Sequence, residues 1–194
     1  RLRVVPVDTP CVKHDHVDFV LDSGKVLRFH DPRRFGSILW VGEDAANSKL
    51  LKNLGPEPFD ETLTAVALYR VSRGRKTSIK QFIMDGRVIV GVGNIYASEA
   101  LFRAKIRPGR AAGRVTLSRF GQLLDAIRQV LSEAIKAGGT TLRDYSRVTG
   151  EPGYFEQSLD VYERAGRPCV NCGTAIRRKV IGQRASYYCP RCQI

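Results

Sequence analysis

Four cysteines constrain the end of this chain more tightly than any other feature constrains the rest. Cys169-x-x-Cys172 and Cys189-x-x-Cys192 stand sixteen residues apart. Each knuckle places two thiolates on one side of a tight turn, and two knuckles supply the four sulfurs of a tetrahedral zinc site. Gly173 follows the second cysteine, where such a turn often needs a positive φ. Two disulfides or four buried thiols are the competing readings, and without a secretory pattern disulfides are disfavoured. Four sulfurs leave no open coordination position, so one structural Zn2+ is expected. The fifth cysteine, Cys11, reads as a packed free thiol. Between the knuckles, Ala175 to Tyr188 reads as a β-hairpin centred on Arg177, Arg178, Lys179, Gly182, Gln183 and Arg184. It is either a solvated turn or a rigid element whose Arg184 clamps a phosphate or enters a groove.

The charge pattern bears on that choice. Lys and Arg total 32 against 19 Asp and Glu, a formal charge of +13. No acid lies between Glu61 and Asp85, between Glu99 and Asp125, or after Glu163, yet each stretch carries five or more Lys and Arg. Acid-free basic blocks suit a polyanion such as nucleic acid, whereas net charge alone fits a merely soluble basic enzyme. No apolar run approaches the length of a membrane span, so no membrane partner is expected.

Hydrophobic periodicity divides the chain. Residues 1 to about 42 read as β, with a hairpin around Asp22-Ser23-Gly24-Lys25 and a further strand from Phe35 to Val41. Leu54-Gly55-Pro56-Glu57-Pro58 is a breaker cluster. Helices are expected over Thr62–Val71, Ser78–Met84, Ile95–Ala104 and Thr116–Ala137. The last presents Leu117, Phe120, Leu123, Leu124, Ile127, Val130, Leu131, Ala134 and Ile135 on one face and stops at Gly138-Gly139.

Three further motifs each have two readings. Gly91-Val92-Gly93-Asn94 is an ordinary turn with Asn94 as helix N-cap, or a place where backbone and helix dipole receive a phosphate. Asp31-Pro32-Arg33-Arg34-Phe35-Gly36 is a turn with a core Phe, or a loop pairing a base-reading Arg33 with a stack-wedging Phe35. Lys13-His14-Asp15-His16 is two His of a metal site, for which no further ligand stands nearby, or a polar strand face with His14 available to a phosphate.

In this order, these motifs resemble the formamidopyrimidine-DNA glycosylase family of bacterial base-excision repair. The match includes Lys13–Asp18, Asp31–Gly36, Gly91–Glu99, Gly138–Leu142, Gly153-Tyr154-Phe155 and the cysteine module with Gln183-Arg184. The resemblance implies an α+β fold: a partial β-sandwich (1–50), a helical helix–two-turn–helix domain (51–152), and a lesion-loop end with a zinc-finger hairpin (153–194). It implies a monomer in the bacterial cytoplasm, acting on damaged double-stranded DNA. The implied activity is excision of oxidised purines, 8-oxoguanine and formamidopyrimidines, followed by strand cleavage at the abasic site. By position, His14, Lys76, Lys80 and Asn94 would hold the DNA backbone, Arg33 would contact the unpaired base, and Phe35 would wedge the stack. Arg184 would clamp the phosphates of the flipped nucleotide and assist the second elimination, and the loop from about Thr149 to Phe155 would cover the flipped base. The family's nucleophile is an N-terminal proline amine, followed by a glutamate, with a strand lysine further on. None has a counterpart here, so the chain is expected to be the C-terminal three-quarters of such an enzyme, binding DNA without cutting it. A DNA-binding module without a catalytic half, or a zinc ribbon of transcription or translation, are the other readings.

Overall fold

The computed structural model describes residues 1–42, 48, 50–137 and 159–194, which fall into two compact units. The first contains residues 1–42 and, among the described residues, also 134–137. Its strands β1 (Leu2–Pro6), β2 (Asp15–Val20) and β3 (Lys25–His30) form an antiparallel sheet in the order β1-β3-β2. Gly24, at φ 70°, makes the β2–β3 turn that was expected there. Leu2, Phe29 and Val17 lie in register on one face, followed by Val4, Leu27 and Phe19. Leu2, Val4, Val17 and Phe19 all remain at least 36% exposed.

The opposite face carries charge that sequence reading missed. Arg28 is 2% exposed and donates to both Asp18 oxygens at 2.8 Å, to the Pro10 and Thr9 carbonyls at 3.0 Å, and approaches Asp15 at 3.5 Å. Asp15 also accepts from Arg3 and pairs with His30 Nδ1 at 2.7 Å. Buried charges persist only when paired this fully. The expected strand over Phe35–Val41 is absent: no partner strand pairs with it among the described residues, and Trp40 is 97% exposed. Cys11 is likewise exposed and not packed.

The second unit is helical, with the cysteine hairpin attached. Helix α1 (Ala65–Ser72) starts where the Thr64 hydroxyl accepts from Ala67 N, and α2 (Ile79–Ile83) where the Ser78 hydroxyl accepts from Gln81 N. Helices α3 (Asn94–Arg103) and α4 (Leu117–Lys136) follow. Phe120, Leu123, Leu124, Ile127 and Val130 of α4 are buried as the periodicity requires, whereas the terminal Leu117 and Ile135 are 43% and 67% exposed. The breaker cluster is packed rather than free: Gly55 N donates to Gly86 O, and a Cβ at Gly55 would come within 2.7 Å of the Val88 carbonyl carbon.

Strands β4 (Arg177–Ile181) and β5 (Arg184–Tyr188) form the expected hairpin. Its turn residues Gly182 and Gln183 both have positive φ, 55° and 62°, as a two-residue type I′ turn demands. Phe102 of α3 enters the small core of Val161, Cys169, Ile176, Tyr187 and Cys189, so helix and zinc module share one interior. Gln193 extends that interior, accepting from Cys189 N and donating to Ile106 O. The Gly138-Gly139 stop, the Gly138–Leu142 and Gly153–Phe155 motifs and the Thr149–Phe155 loop lie outside the described residues.

Candidate nucleic-acid interface

The four cysteine sulfurs lie within 4.8 Å of one another. Cys172 and Cys189 are 3.5 Å apart and Cys169 and Cys192 3.9 Å, far beyond a disulfide bond. A tetrahedron with Zn–S bonds of about 2.3 Å has edges of about 3.8 Å. The donor set therefore fits one zinc ion, and Gly173 supplies the positive φ, 73°, that the first knuckle needs.

The hairpin is fixed to the helices by a lysine expected at the surface. Lys80 is 1% exposed, and its ammonium donates to Ala185 O at 2.9 Å and to the Ser186 hydroxyl at 2.7 Å. Burial, with repulsion from nearby Arg184, lowers its pKa to about 8. The expectation of an open backbone contact at Lys80 is corrected to this extent: the lysine is an interior brace of β5. Gly182 packs against the Gln81 side chain so closely that a Cβ there would stand 2.6 Å from Nε2. Lys76 is exposed in the loop between α1 and α2.

Asn94 is not the N-cap. Gly93 holds that position, contributes no side-chain hydrogen bond, and leaves Asn94 as the first helical residue. The Asn94 amide is thereby turned to Tyr162, with Nδ2 3.4 Å from the phenol oxygen, while Oδ1 is buried without a partner among the described residues. Tyr162 was invisible to sequence reasoning because it meets Asn94 across 68 positions. It is held there by Glu99, whose carboxylate accepts from the backbone amides of Asp160, Val161 and Tyr162 at 2.8–3.0 Å. Burial raises the Glu99 pKa, and those three amides oppose the rise. The Tyr162 ring meets Tyr187 edge-on at 5.1 Å, and the exposed Arg184 lies near enough to both Tyr162 and Lys80 to bias their titration. Asn94, Lys80 and Arg184, separated by up to 104 positions, are thus neighbours in one cationic cluster.

In the first unit, Asp31 builds the loop that presents Arg33 and Phe35. Its Oδ2 accepts from Gly36 N at 2.7 Å, and Gly36 packs on Phe29, where a Cβ would lie 2.7 Å from the ring. Phe35 is 84% exposed, which removes the reading of a core aromatic, and Arg33 sits 5.7 Å over its ring. His14 is partly buried at φ 79°, with its ring 6.2 Å from His30.

Known proteins share this organisation. Residues 1–38 match the formamidopyrimidine-DNA glycosylase N-terminal domain, residues 54–146 its H2TH domain, and residues 166–194 the zinc finger found in FPG and IleRS. The formamidopyrimidine-DNA glycosylase of Syntrophotalea carbinolica is 59% identical over 192 residues, covering 99% of this chain and 71% of the relative. That of Alcanivorax borkumensis is 58% identical with the same coverage. Among solved structures, the MutM (Fpg) protein of Thermus thermophilus superposes with a TM-score of 0.88 at 38% identity, over 99% of this chain and 71% of that one. The Lactococcus lactis Fpg in complex with abasic-site DNA gives 0.89 at 32% identity, over 99% and 70%. With a fold, a four-sulfur module and motifs that coincide along its length, the chain belongs to the formamidopyrimidine-DNA glycosylase family.

Proposed function

We propose that this protein acts in base-excision repair as the lesion-DNA-binding portion of a bifunctional glycosylase and abasic-site lyase for oxidised purines. The supporting observation is the cluster of Lys80 from α2, Asn94 at the start of α3, Tyr162, and Arg184 on the hairpin stiffened by four cysteines. A helix start and an exposed arginine on a rigid element are suited to holding phosphates. The orphaned Asn94 Oδ1 bears on the side chain's orientation. Turning the amide over lets Oδ1 accept from the Tyr162 hydroxyl, which fixes the Asn94 side chain at the helix start whose backbone amides receive the phosphate.

Chemistry on a base requires its removal from the stack, because the glycosidic carbon is shielded inside the duplex. In this reading Arg184 holds the backbone around the extruded nucleotide. Phe35 fills the gap and Arg33 contacts the widowed base. His14 and Lys76 hold flanking phosphates, and Lys80 fixes the height of Arg184 by anchoring β5. The family's proline amine, glutamate and strand lysine have no counterpart in residues 1–194, where Pro6 and Pro10 are internal imides unable to form a Schiff base. A polypeptide of these 194 residues therefore binds the lesion without excising it, and borohydride yields no covalent adduct with lesion DNA. A trapped adduct would overturn that division of labour.

Binding is tested on a duplex bearing one abasic-site analogue. Arg184→Ala and Asn94→Ala should each weaken it about tenfold or more, since a charge-assisted hydrogen bond contributes about 1.5–3 kcal/mol. Asp22→Asn, in the exposed β2–β3 turn, should leave it unchanged. Equal losses at all three positions would indicate diffuse attraction instead of a site.

A further inference from the structure

A second cationic site lies beside this cluster, in the same unit. A cleft of about 440 Å3 separates the loop Arg107–Arg110 from the hairpin. Arg107 and Arg110 line one side, and Arg177, Lys179, Ile181 and Tyr188 the other. All four cations are exposed, and none pairs with a carboxylate among the described residues. Arg107 is held over the Tyr188 ring at 5.7 Å, so its guanidinium is positioned before any ligand arrives.

Both walls are rigid because both hang on α2. Ile79 N donates to Arg110 O at 2.7 Å and Lys80 N to Pro108 O at 3.2 Å, while Lys80 Nζ holds β5. Four like charges facing one cleft repel one another, and an anion between them converts that repulsion into binding.

The hairpin register indicates which anion. Ile181 pairs directly with Arg184, and Ile181, Lys179 and Arg177 alternate onto one face of β4. At about 3.3 Å per residue, Arg177 lies about 13 Å along the strand from the Ile181–Arg184 pair. Successive phosphates of one strand are offset by about 3.4 Å along the duplex axis, so cations spread over that length can meet more than one phosphate of the same backbone. We infer that this cleft is a second phosphodiester site for duplex DNA. It holds the backbone of the flank next to the phosphates that Arg184 clamps. The inference rests on the DNA-binding reading above and extends its footprint.

The test uses the full chain with zinc bound, comparing wild type with an Arg177→Ala/Lys179→Ala double variant whose zinc content and Tm are checked. On a duplex of about two helical turns with a central abasic-site analogue, the variant should bind about tenfold more weakly at low salt. Its plot of log affinity against log salt should be shallower by about 1–2, the change expected for one or two lost phosphate contacts. Ethylating the flanking phosphates one at a time should reveal one or two positions that weaken wild type but not the variant. Arg110→Ala repeats the test from the other wall, independently of the hairpin. An unchanged salt slope and an unchanged ethylation pattern would overturn the proposal, whether or not an acidic peptide or inorganic pyrophosphate then proved to bind. If Arg184→Ala still weakens lesion binding in that case, the reading of the lesion cluster survives and only the flank site falls. A wild-type chain that binds no DNA would overturn both.

Discussion

Glu99 is 1% exposed, and among the described residues it alone accepts from three backbone amides. Truncating it would leave those amides buried without acceptors, each at a cost of about 1–3 kcal/mol before relaxation. Glu99→Ala should therefore lower the unfolding free energy by about 2–4 kcal/mol. Glu99→Gln keeps an acceptor oxygen and should lose less, as denaturant melts would show. Lys80, in the cationic cluster, has its pKa moved the other way. The fold lowers its pKa from 10.5 to about 8, so between about pH 8 and 10.5 the unfolded chain binds more protons than the native one. Stability then rises with pH across that window, as the charged buried form is relieved. Relative to Lys80→Met, which does not titrate, the wild type should gain stability from pH 8 to 10.5. A constant difference would mean the ammonium is not desolvated. Lys80 was legible as a basic residue on a helix, but its burial was not. Its partners Ala185 and Ser186 are more than a hundred positions away, and no local pattern signals them.

At the scale of elements, what could be read early is what short-range chemistry dictates. The α4 stripe, the β2–β3 turn at Gly24 and the cysteine hairpin all depend on spacing within about twenty residues. Phe35–Val41 misled because an apolar run has strand character only if a neighbour offers hydrogen bonds, and none does among the described residues. Asn94 misled because Gly93 can also cap, which moves the asparagine one position inward and redirects its amide to Tyr162. The zinc module gives the sharpest prediction at this scale. Phe102, Val161, Ile176 and Tyr187 pack against the cysteines themselves, so removing the metal frees the sulfurs that centre that core. Metal analysis should give one zinc per chain. Chelation should expose the amides of β4 and β5 to hydrogen exchange while α4, whose core is separate, stays protected. Simultaneous exchange of α4 would mean the hairpin and the helices unfold as one body.

For the whole molecule, the decisive property is charge placed on two differently built supports. A net charge of +13 attracts any duplex, and that attraction alone carries no preference for damage. Under the proposed function, preference comes from the exposed Phe35 with Arg33 and, separately, from Arg184 with Asn94, because a nucleotide leaves the stack more readily at a lesion than in intact DNA. The central claim is therefore tested by one comparison. Equilibrium binding of the zinc-loaded chain is measured, at one salt concentration, to two duplexes of the same sequence, one intact and one with a single abasic-site analogue. Affinity for the damaged duplex at least tenfold higher, with the difference abolished by Arg184→Ala, is the predicted result. Equal affinity for the two duplexes would contradict the account and leave the chain a nonspecific polyanion binder.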